Sequence, residues 1–128
     1  MKSSRIDLKP LENSVKSFEE GLNPQSLLER DGAIQRFEFT FELSWKTLAK
    51  VLQSDSPLED NSVKGVLREG GRQKLVEDVE KWFEFQHARN RTSHTYDEKI
   101  AEEVFAVAAQ FPPYVHNLIL KLKNRLQK

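Results

Sequence analysis

Eight consecutive residues hold side chains that could bind an anion and move a proton. They run from Arg89 to Tyr96 in the order Arg-Asn-Arg-Thr-Ser-His-Thr-Tyr, and we name residues 89–96 the polar segment. The guanidinium groups of Arg89 and Arg91 suit the oxygens of a phosphate, and the imidazole of His94 titrates near neutral pH. Because such groups are costly to keep in a small helical protein unless something uses them, this segment is the first candidate for a functional site.

An arginine that holds a phosphate and a histidine that moves protons can cleave RNA through its own 2′-hydroxyl without a metal ion. Arg89 and His94 are five residues apart, so in an unbroken helix their side chains would point about 140° away from each other. The pattern Thr95-x-x-Glu98 is a capping box, which predicts that one helix ends before His94 and another starts near Tyr96. His94 would then lie beside the free backbone amides of a helix N-terminus, which favour an anion.

A purely structural interpretation of the same segment stands beside this one. Arginines near the last turn of a helix are favourable in themselves, because their charge complements the helix dipole. His94 could serve as a capping or packing residue. Residue chemistry alone favours this structural interpretation, since clusters of charged side chains also form where no reaction takes place.

Amphipathic helices are predicted before the polar segment, because apolar residues recur there at spacings of three and four. A first helix is predicted over residues 6–21. A second starts at the Asn23-Pro24 pair, a cap followed by proline in the first turn, and runs to about Gln53. The predicted apolar positions are Leu8, Leu11, Val15 and Phe18 in the first helix, and Ile34, Phe37, Phe41, Trp45, Leu48 and Leu52, widened by Phe39 and Leu43, in the second.

Two further helices are predicted between the second helix and the polar segment. A polar loop over residues 54–61 precedes a short helix that starts near Ser62 and ends at Gly70-Gly71. A fourth helix is predicted from about Gln73 towards Arg91. Its predicted buried residues are Leu75, Val76, Val79, Trp82 and Phe83.

The last predicted helix starts near Tyr96 and carries an apolar repeat close to a heptad. Pro112-Pro113 interrupts it, and the sequence leaves open whether the prolines kink the helix or split it in two. No strand pattern competes. The chain is therefore predicted to be all-α, an up-and-down bundle of four or five helices that forms a single domain over residues 1–128. The repeat comprises Ile100, Val104, Ala108, Phe111, Val115, Leu118, Leu122 and Leu126.

Composition limits the class of protein. The chain has 128 residues, of which 20 are basic and 20 acidic, and it has no cysteine. Lack of cysteine excludes disulfides and thiolate chemistry, which fits a cytoplasmic location. A formal charge of zero argues against a bulk polyanion binder but permits a local basic site. No apolar run is long enough to span a membrane and the N-terminus has no signal-peptide pattern, so no membrane association is expected.

Other constellations in the sequence are weaker candidates. Glu84-x-x-His87 has the spacing of a di-metal carboxylate helix, but such bundles need a second copy and the chain has none, so no metal or other cofactor is expected. His116 is interpreted as a flank of the core. The basic tail, residues 121–128, fits the charge favoured at a helix C-terminus, with contact to RNA as the alternative. Without a Gly-rich phosphate loop or an Asp-x-Asp pair, the chain is not expected to transfer nucleotides itself.

Two separated motifs resemble a known family. The polar segment is similar, through Arg89, His94 and Tyr96, to the Arg-x4-His-x-Tyr signature of HepT-like proteins in the HEPN superfamily. Residues 36–46, with the sequence Arg-Phe-Glu-Phe-Thr-Phe-Glu-Leu-Ser-Trp-Lys, resemble the long helix of the same family. The resemblance extends over about residues 32–122, in the branch often described as nucleotidyltransferase substrate-binding proteins.

The resemblance implies a specific function. HEPN proteins of this branch are α-helical bundles that dimerise and bring two Arg/His motifs together in a cleft, and the active members are metal-independent endoribonucleases. Arg89 would then bind and polarise the scissile phosphate, His94 would act as general acid and base, and Asn90 would orient the substrate or the motif. The partner would be a cognate minimal nucleotidyltransferase, which in toxin–antitoxin pairs silences the ribonuclease by adenylylating the motif tyrosine, here Tyr96.

The same resemblance leaves a second function open. Some relatives only pair with the transferase, so the chain could be a non-catalytic subunit that binds the transferase or presents its substrate. Under either interpretation the chain is expected to form a homodimer or a higher even oligomer, and under the first RNA is its substrate.

Overall fold

The computed structural model describes residues 6–127, whose regular structure is entirely helical. No strand occurs in this range, so the prediction of an all-α fold is confirmed. None of the described helices is both long and apolar enough to cross a membrane. The helices are α1 (Lys9–Glu20), α2 (Leu27–Gln53), α3 (Val63–Arg72), α4 (Val79–Asn90), α5 (Glu98–Ala108) and α6 (Phe111–Leu126), with a 3-10 turn at Thr92–His94 between α4 and α5.

Helix α2 is the centre of the fold and contacts each of the other five helices. Its apolar stripe is buried as the spacing predicted, except that Trp45 is half-buried. The prediction that Phe39 widens the stripe is wrong, because that side chain is 58% exposed. Phe39 lies about 200° around the helix from the buried Phe37, on the opposite side of α2.

Six aromatic rings form the middle of the hydrophobic core, and we name them the aromatic core. The ring of Phe111 is central, with centroids 4.9 Å from Phe85, 5.2 Å from Trp82 and 5.4 Å from Phe37. Edge-to-face pairs of this kind each contribute about 0.5–1.5 kcal/mol beyond the area they bury. The aromatic core consists of Phe18, Phe37, Phe41, Trp82, Phe85 and Phe111.

The start of α2 differs from the prediction. Asn23-Pro24 does not cap the helix; Ser26 does, and its hydroxyl accepts a hydrogen bond from the backbone N–H of Glu29 at 3.1 Å. The carboxylate of Glu29 in turn accepts from the backbone N–H of Gln25 at 2.9 Å. These two bonds satisfy the backbone N–H groups of Glu29 and Gln25, much as a capping box does. Residues 25–29 therefore form a better helix start than Asn23-Pro24.

The turn between α3 and α4 also differs. Gly70 and Gly71 do not end α3 but lie in its last turn. An added Cβ would come within 2.8 Å of Val76 at Gly70 and 2.4 Å of Val79 at Gly71, so the close packing of this turn requires glycine. The chain turns at Lys74, whose φ is 64°. Helix α4 therefore starts only at Val79. Its buried aromatic residues are Trp82 and Phe85, whereas Phe83 is half-buried rather than part of the core.

The predicted last helix is two helices. Helix α5 ends at Ala108, and α6 begins at Phe111 with Pro112 and Pro113 in its first turn, where a backbone N–H has no intrahelical partner to lose. The prolines therefore split the predicted helix rather than kink it. The break sets the ring of Phe111 into the aromatic core.

Candidate functional site

The polar segment is an ordered connection between α4 and α5. The Thr92 hydroxyl donates to the Arg89 carbonyl at 2.8 Å, and the Thr95 hydroxyl donates to the Thr92 carbonyl at 3.1 Å. The backbone N–H of His94 donates to the carbonyl of Arg91 at 3.0 Å. The helix break predicted between Arg89 and His94 is therefore present, and these three hydrogen bonds between neighbouring residues define its geometry.

The predicted anion site beside His94 is not formed. Thr95 does not cap α5; Asp97 does, and its carboxylate accepts from the backbone N–H groups of Lys99 at 2.9 Å and Ile100 at 3.3 Å. A carboxylate is the stronger acceptor near the positive end of a helix dipole, and it already occupies the amides that would bind a phosphate. A phosphate at this site would therefore have to be held by side chains.

Arg89 points from the end of α4 towards α2. Its Nε lies 2.9 Å from Oε2 of Glu42, and its Nη2 lies 3.5 Å from Oε2 of Glu38. The Nε–H is not directed at the oxygen of Glu42, so that contact is an attraction between charges without a hydrogen bond. The same Glu42 oxygen accepts from Nε1 of Trp45 at 3.3 Å. Two carboxylates of α2 thus hold the guanidinium of Arg89.

Arg91 is held by a different helix. Its Nη2 donates to Oε1 of Glu103 in α5 at 2.8 Å. Both arginines of the polar segment therefore carry glutamate partners, and a phosphate must share or displace these carboxylates. Sequence analysis did not identify Glu38, Glu42 or Glu103 as part of the site. The spacing of Glu38 and Glu42, one turn apart on α2, was the signal available for the first two.

The remaining predicted site residues are accessible. The side chains of Asn90 and His94 are exposed, and Tyr96 is 87% exposed. The rings of His94 and Tyr96 stand edge to face with their centroids 6.1 Å apart. No side-chain hydrogen bond is made by these three residues within 6–127. The imidazole of His94 is therefore accessible from solvent.

A buried arginine near the start of α2 ties that helix to the start of α5. Arg30 makes two contacts with the carboxylate of Glu98, the first residue of α5, and pairs with Asp31 at 3.0 Å. The hydrogen bond from Arg30 holds the pKa of Glu98 below its ordinary value. The pKa of Arg30 is raised, chiefly by the same hydrogen bond. Nothing local in the sequence indicated this pair, because its members are 68 residues apart.

The weaker candidates from the sequence do not form sites. Among residues 6–127 no group of three or more His, Asp or Glu is placed to hold a metal ion, and Glu84 pairs with Lys81. His116 is exposed, and its Nε2 lies 2.9 Å from Glu19 of α1. In the basic tail, Lys121, Lys123 and Arg125 pair with Glu77, Glu12 and Asp55; Lys128 lies outside the described residues.

Comparison with known proteins gives matches over nearly the whole chain. A family model described as "Nucleotidyltransferase substrate binding protein like" matches residues 6–124. A protein of Haemophilus influenzae named "Probable ribonuclease HepT" is 40% identical over 100 residues, which cover 75% of this chain and 68% of that protein.

Two solved structures share the fold. HI0074 of Haemophilus influenzae, described as revealing the fold of a substrate binding domain of a nucleotidyltransferase, superposes with a TM-score of 0.80 at 32% identity, covering 91% of this chain and 99% of its own. The protein ttk003001694 of Thermus thermophilus superposes with a TM-score of 0.75 at 33% identity, covering 92% and 99%. The helical arrangement described above is therefore one that solved proteins adopt.

Proposed function

Since this chain belongs to the nucleotidyltransferase substrate binding protein-like family, we propose that it pairs in the cytoplasm with a cognate minimal nucleotidyltransferase. The description of HI0074 as a substrate binding domain of a nucleotidyltransferase supports this partnership. Because the chain lacks the loop and acidic pair of nucleotidyl transfer, the two activities would be divided between two proteins.

Within that pair, the chain acts as a metal-independent endoribonuclease of the HEPN type. The observation that supports this role most directly is the geometry of the polar segment, where Arg89 and an exposed, unbonded His94 are joined by an ordered turn. The name of the relative "Probable ribonuclease HepT" agrees with it.

The reaction assigns a role to each predicted residue. The 2′-hydroxyl oxygen of RNA attacks the adjacent phosphorus, the bond to the 5′-oxygen breaks, and a 2′,3′-cyclic phosphate forms. His94 takes the proton from the 2′-hydroxyl or gives one to the departing 5′-oxygen. Arg89 stabilises the charge that develops on the phosphoryl oxygens, through the guanidinium N–H groups that it withdraws from Glu38 and Glu42. Asn90, exposed on the last turn of α4, orients the substrate.

A second copy of the chain completes the site. One histidine cannot readily serve both proton transfers in one turnover, and a homodimer supplies a second one. Phe39, exposed on α2 next to Glu38, gives that surface an apolar side chain that a partner copy would cover.

Tyr96 is the site at which the partner silences the ribonuclease. Its phenol oxygen attacks the α-phosphorus of ATP, pyrophosphate leaves, and the phenolic proton passes to solvent. The adenylyl group would add bulk and negative charge beside the ring of His94, where an RNA phosphate has to bind. The pair then behaves as a toxin and its antitoxin.

A non-catalytic binding subunit is the second candidate function. Its support is that the carboxylates of Glu42 and Glu103 already neutralise Arg89 and Arg91. In that case the polar segment would be a contact surface for the transferase, and RNA would not be cleaved.

Incubation of the purified chain with tRNA and a mixed RNA pool in excess chelator distinguishes the two. We expect fragments that end in cyclic phosphate, produced by protein whose intact mass carries no adenylyl group. Intact RNA in the presence of unmodified protein would reject the ribonuclease and leave the binding subunit.

A further inference from the structure

A pair of cations lies over an aromatic ring, away from the polar segment. Nζ of Lys64 and Cζ of Arg68 each lie 5.4 Å from the centroid of the Phe83 ring. Both are within the distance at which a cation is attracted to the face of a ring. Lys64 and Arg68 are one turn apart on α3, exposed, and directed to the same neighbour on α4. We name Lys64 and Arg68 the basic pair.

Lys64 and Arg68 form no ion pair within the described residues. Neither residue has a carboxylate within 4 Å in the described range, whereas the arginines of the polar segment and three cations of the tail are all paired. The carboxylate of Asp60 accepts a hydrogen bond from the backbone N–H of Ser62 at 2.9 Å. This bond, and to a smaller extent the charge of Arg68, lower the pKa of Asp60. The basic pair therefore has N–H donors available to an anion that reaches this surface, although Glu59, Asp60 and Glu69 lie beside Arg68.

One face of α4 runs from Phe83, which the basic pair covers, to Asn90 of the polar segment. Phe83, His87 and Asn90 are separated by four and three residues, which places them on the same side of a helix. His87 and Asn90 are exposed and Phe83 is half-buried, so this side faces outward. From Phe83 to Asn90 the helix rises about 10 Å. The one acid on this face, Glu80, lies a turn before Phe83, on the side away from the polar segment.

We propose that the basic pair, held in place by Phe83, binds the phosphates of the single-stranded RNA whose scissile phosphate lies at Arg89 and His94. This inference rests on the proposed ribonuclease function and adds the surface that guides the strand. Positively charged grooves with an aromatic residue are the usual means of binding a single strand without reading its sequence. The N–H donors of Lys64 and Arg68 are free to bind phosphate oxygens while their carbon stems lie on the ring.

Binding of uncleaved RNA tests the proposal. A His94→Ala protein, unable to cleave, is titrated against a labelled single-stranded RNA of mixed sequence, about twelve nucleotides long. Adding Lys64→Ala and Arg68→Ala should raise the Kd about tenfold and reduce the slope of log K against log salt by about 1.4, since each phosphate contact on a single strand contributes about 0.7. The exchange Lys64→Arg with Arg68→Lys should preserve both the Kd and the slope.

A matched control removes two positive charges elsewhere. Lys9 and Lys16 are exposed on α1, have no carboxylate within 4 Å among the described residues, and when both are changed to Ala should alter the Kd less than twofold. Phe83→Leu keeps apolar volume but removes the ring beneath the cations, and should weaken binding by less than the loss of both cations does. Circular dichroism and urea unfolding verify that all variants are folded.

Four outcomes would overturn the proposal. Equal Kd values for the variant lacking the basic pair and for the control would show that the cations do not contact the strand. Loss of transferase binding with unchanged RNA affinity would assign the surface to the protein partner instead. If the native chain cleaves RNA and the variant lacking the basic pair has the same KM, this inference alone fails; if the chain neither binds nor cleaves RNA, the proposed ribonuclease function fails with it.

Discussion

The aromatic core and the polar segment differ in what holds them together. The aromatic core is held by contacts between uncharged rings, with Phe111 touching rings from α1, α2 and α4. The polar segment is held by hydrogen bonds within a turn and by charges that reach other helices, as Arg89 reaches Glu42 and Arg91 reaches Glu103. Packing of rings contributes mainly to stability, whereas exposed charge pairs contribute little to it. Changes in the two regions should therefore separate stability from function.

Removal of the central ring should have the largest effect on stability. Phe111→Ala deletes a fully buried side chain and should lower the free energy of unfolding by about 3–5 kcal/mol, measured by urea denaturation. Because small domains are stable by only about 5–15 kcal/mol, Phe111→Leu, which keeps most of the apolar volume and should cost less than Phe111→Ala, provides a variant that stays folded. Leu28→Ala, at an 82% exposed position of α2, is the control and should change stability by no more than about 0.5 kcal/mol. A comparable loss of stability in both alanine variants would contradict the view that packing of the aromatic core is the main source of stability.

Loss of the charge of Glu98 should have a smaller, pH-dependent effect. Arg30 holds the pKa of Glu98 below its ordinary value, so the unfolded chain binds a proton more readily than the folded chain and the pair stabilises the fold above the unfolded pKa of about 4.3. Native protein should therefore exceed Glu98→Gln in stability at pH 7. The difference should disappear as pH falls through the lower pKa of the folded state.

Urea titrations of both proteins between pH 7 and pH 3 measure this difference. Glu59→Gln, in an exposed loop without an ion pair among residues 6–127, is the control and should follow the native protein at every pH. A difference between native and Glu98→Gln that persists unchanged at pH 3 would mean that the pair acts through shape rather than charge.

Tyr96→Phe should have the smallest effect on stability and should abolish adenylylation. The hydroxyl belongs to an 87% exposed side chain, so its loss should change the free energy of unfolding by no more than about 0.5 kcal/mol. When the chain, its transferase and ATP are combined, native protein should gain the mass of one adenylyl group and Tyr96→Phe should gain none. Tyr114, half-buried against Phe85, is the other tyrosine, and a gain that persists in Tyr96→Phe would place the modification elsewhere.

The sequence predicted the parts of the fold that depend on periodicity. The stripe of α2 repeats from Ile34 to Leu52 within a helix of 27 residues, so its buried face could be identified before the structure was known. The fourth helix was predicted less well. Leu75 and Val76 are buried from the turn before α4 rather than from the helix, and including them in the helix moved the predicted apolar face to Phe83 instead of Phe85.

Helix starts, and ion pairs between residues distant in the sequence, could not be predicted from local sequence patterns. Asn23 competes with Ser26, and Thr95 competes with Asp97, within two or three residues; local patterns cannot rank such neighbours, because the packing of the whole helix selects one of them. The residues of the polar segment were identified by type, but their glutamate partners lie on other helices. Distance in the sequence hides Arg30 and Glu98 from each other for the same reason.

His94→Ala tests most directly whether the polar segment serves a reaction rather than the fold. The side chain is exposed and makes no hydrogen bond within the described residues, so the urea unfolding curve should match that of the native protein within about 0.5 kcal/mol. Metal-free cleavage of RNA should nonetheless fall by about a hundredfold or more, the usual contribution of a general acid or base. Ser93→Ala, in the same turn, should retain native activity. Cleavage by His94→Ala at the native rate would contradict the account and assign the reaction to another part of the molecule.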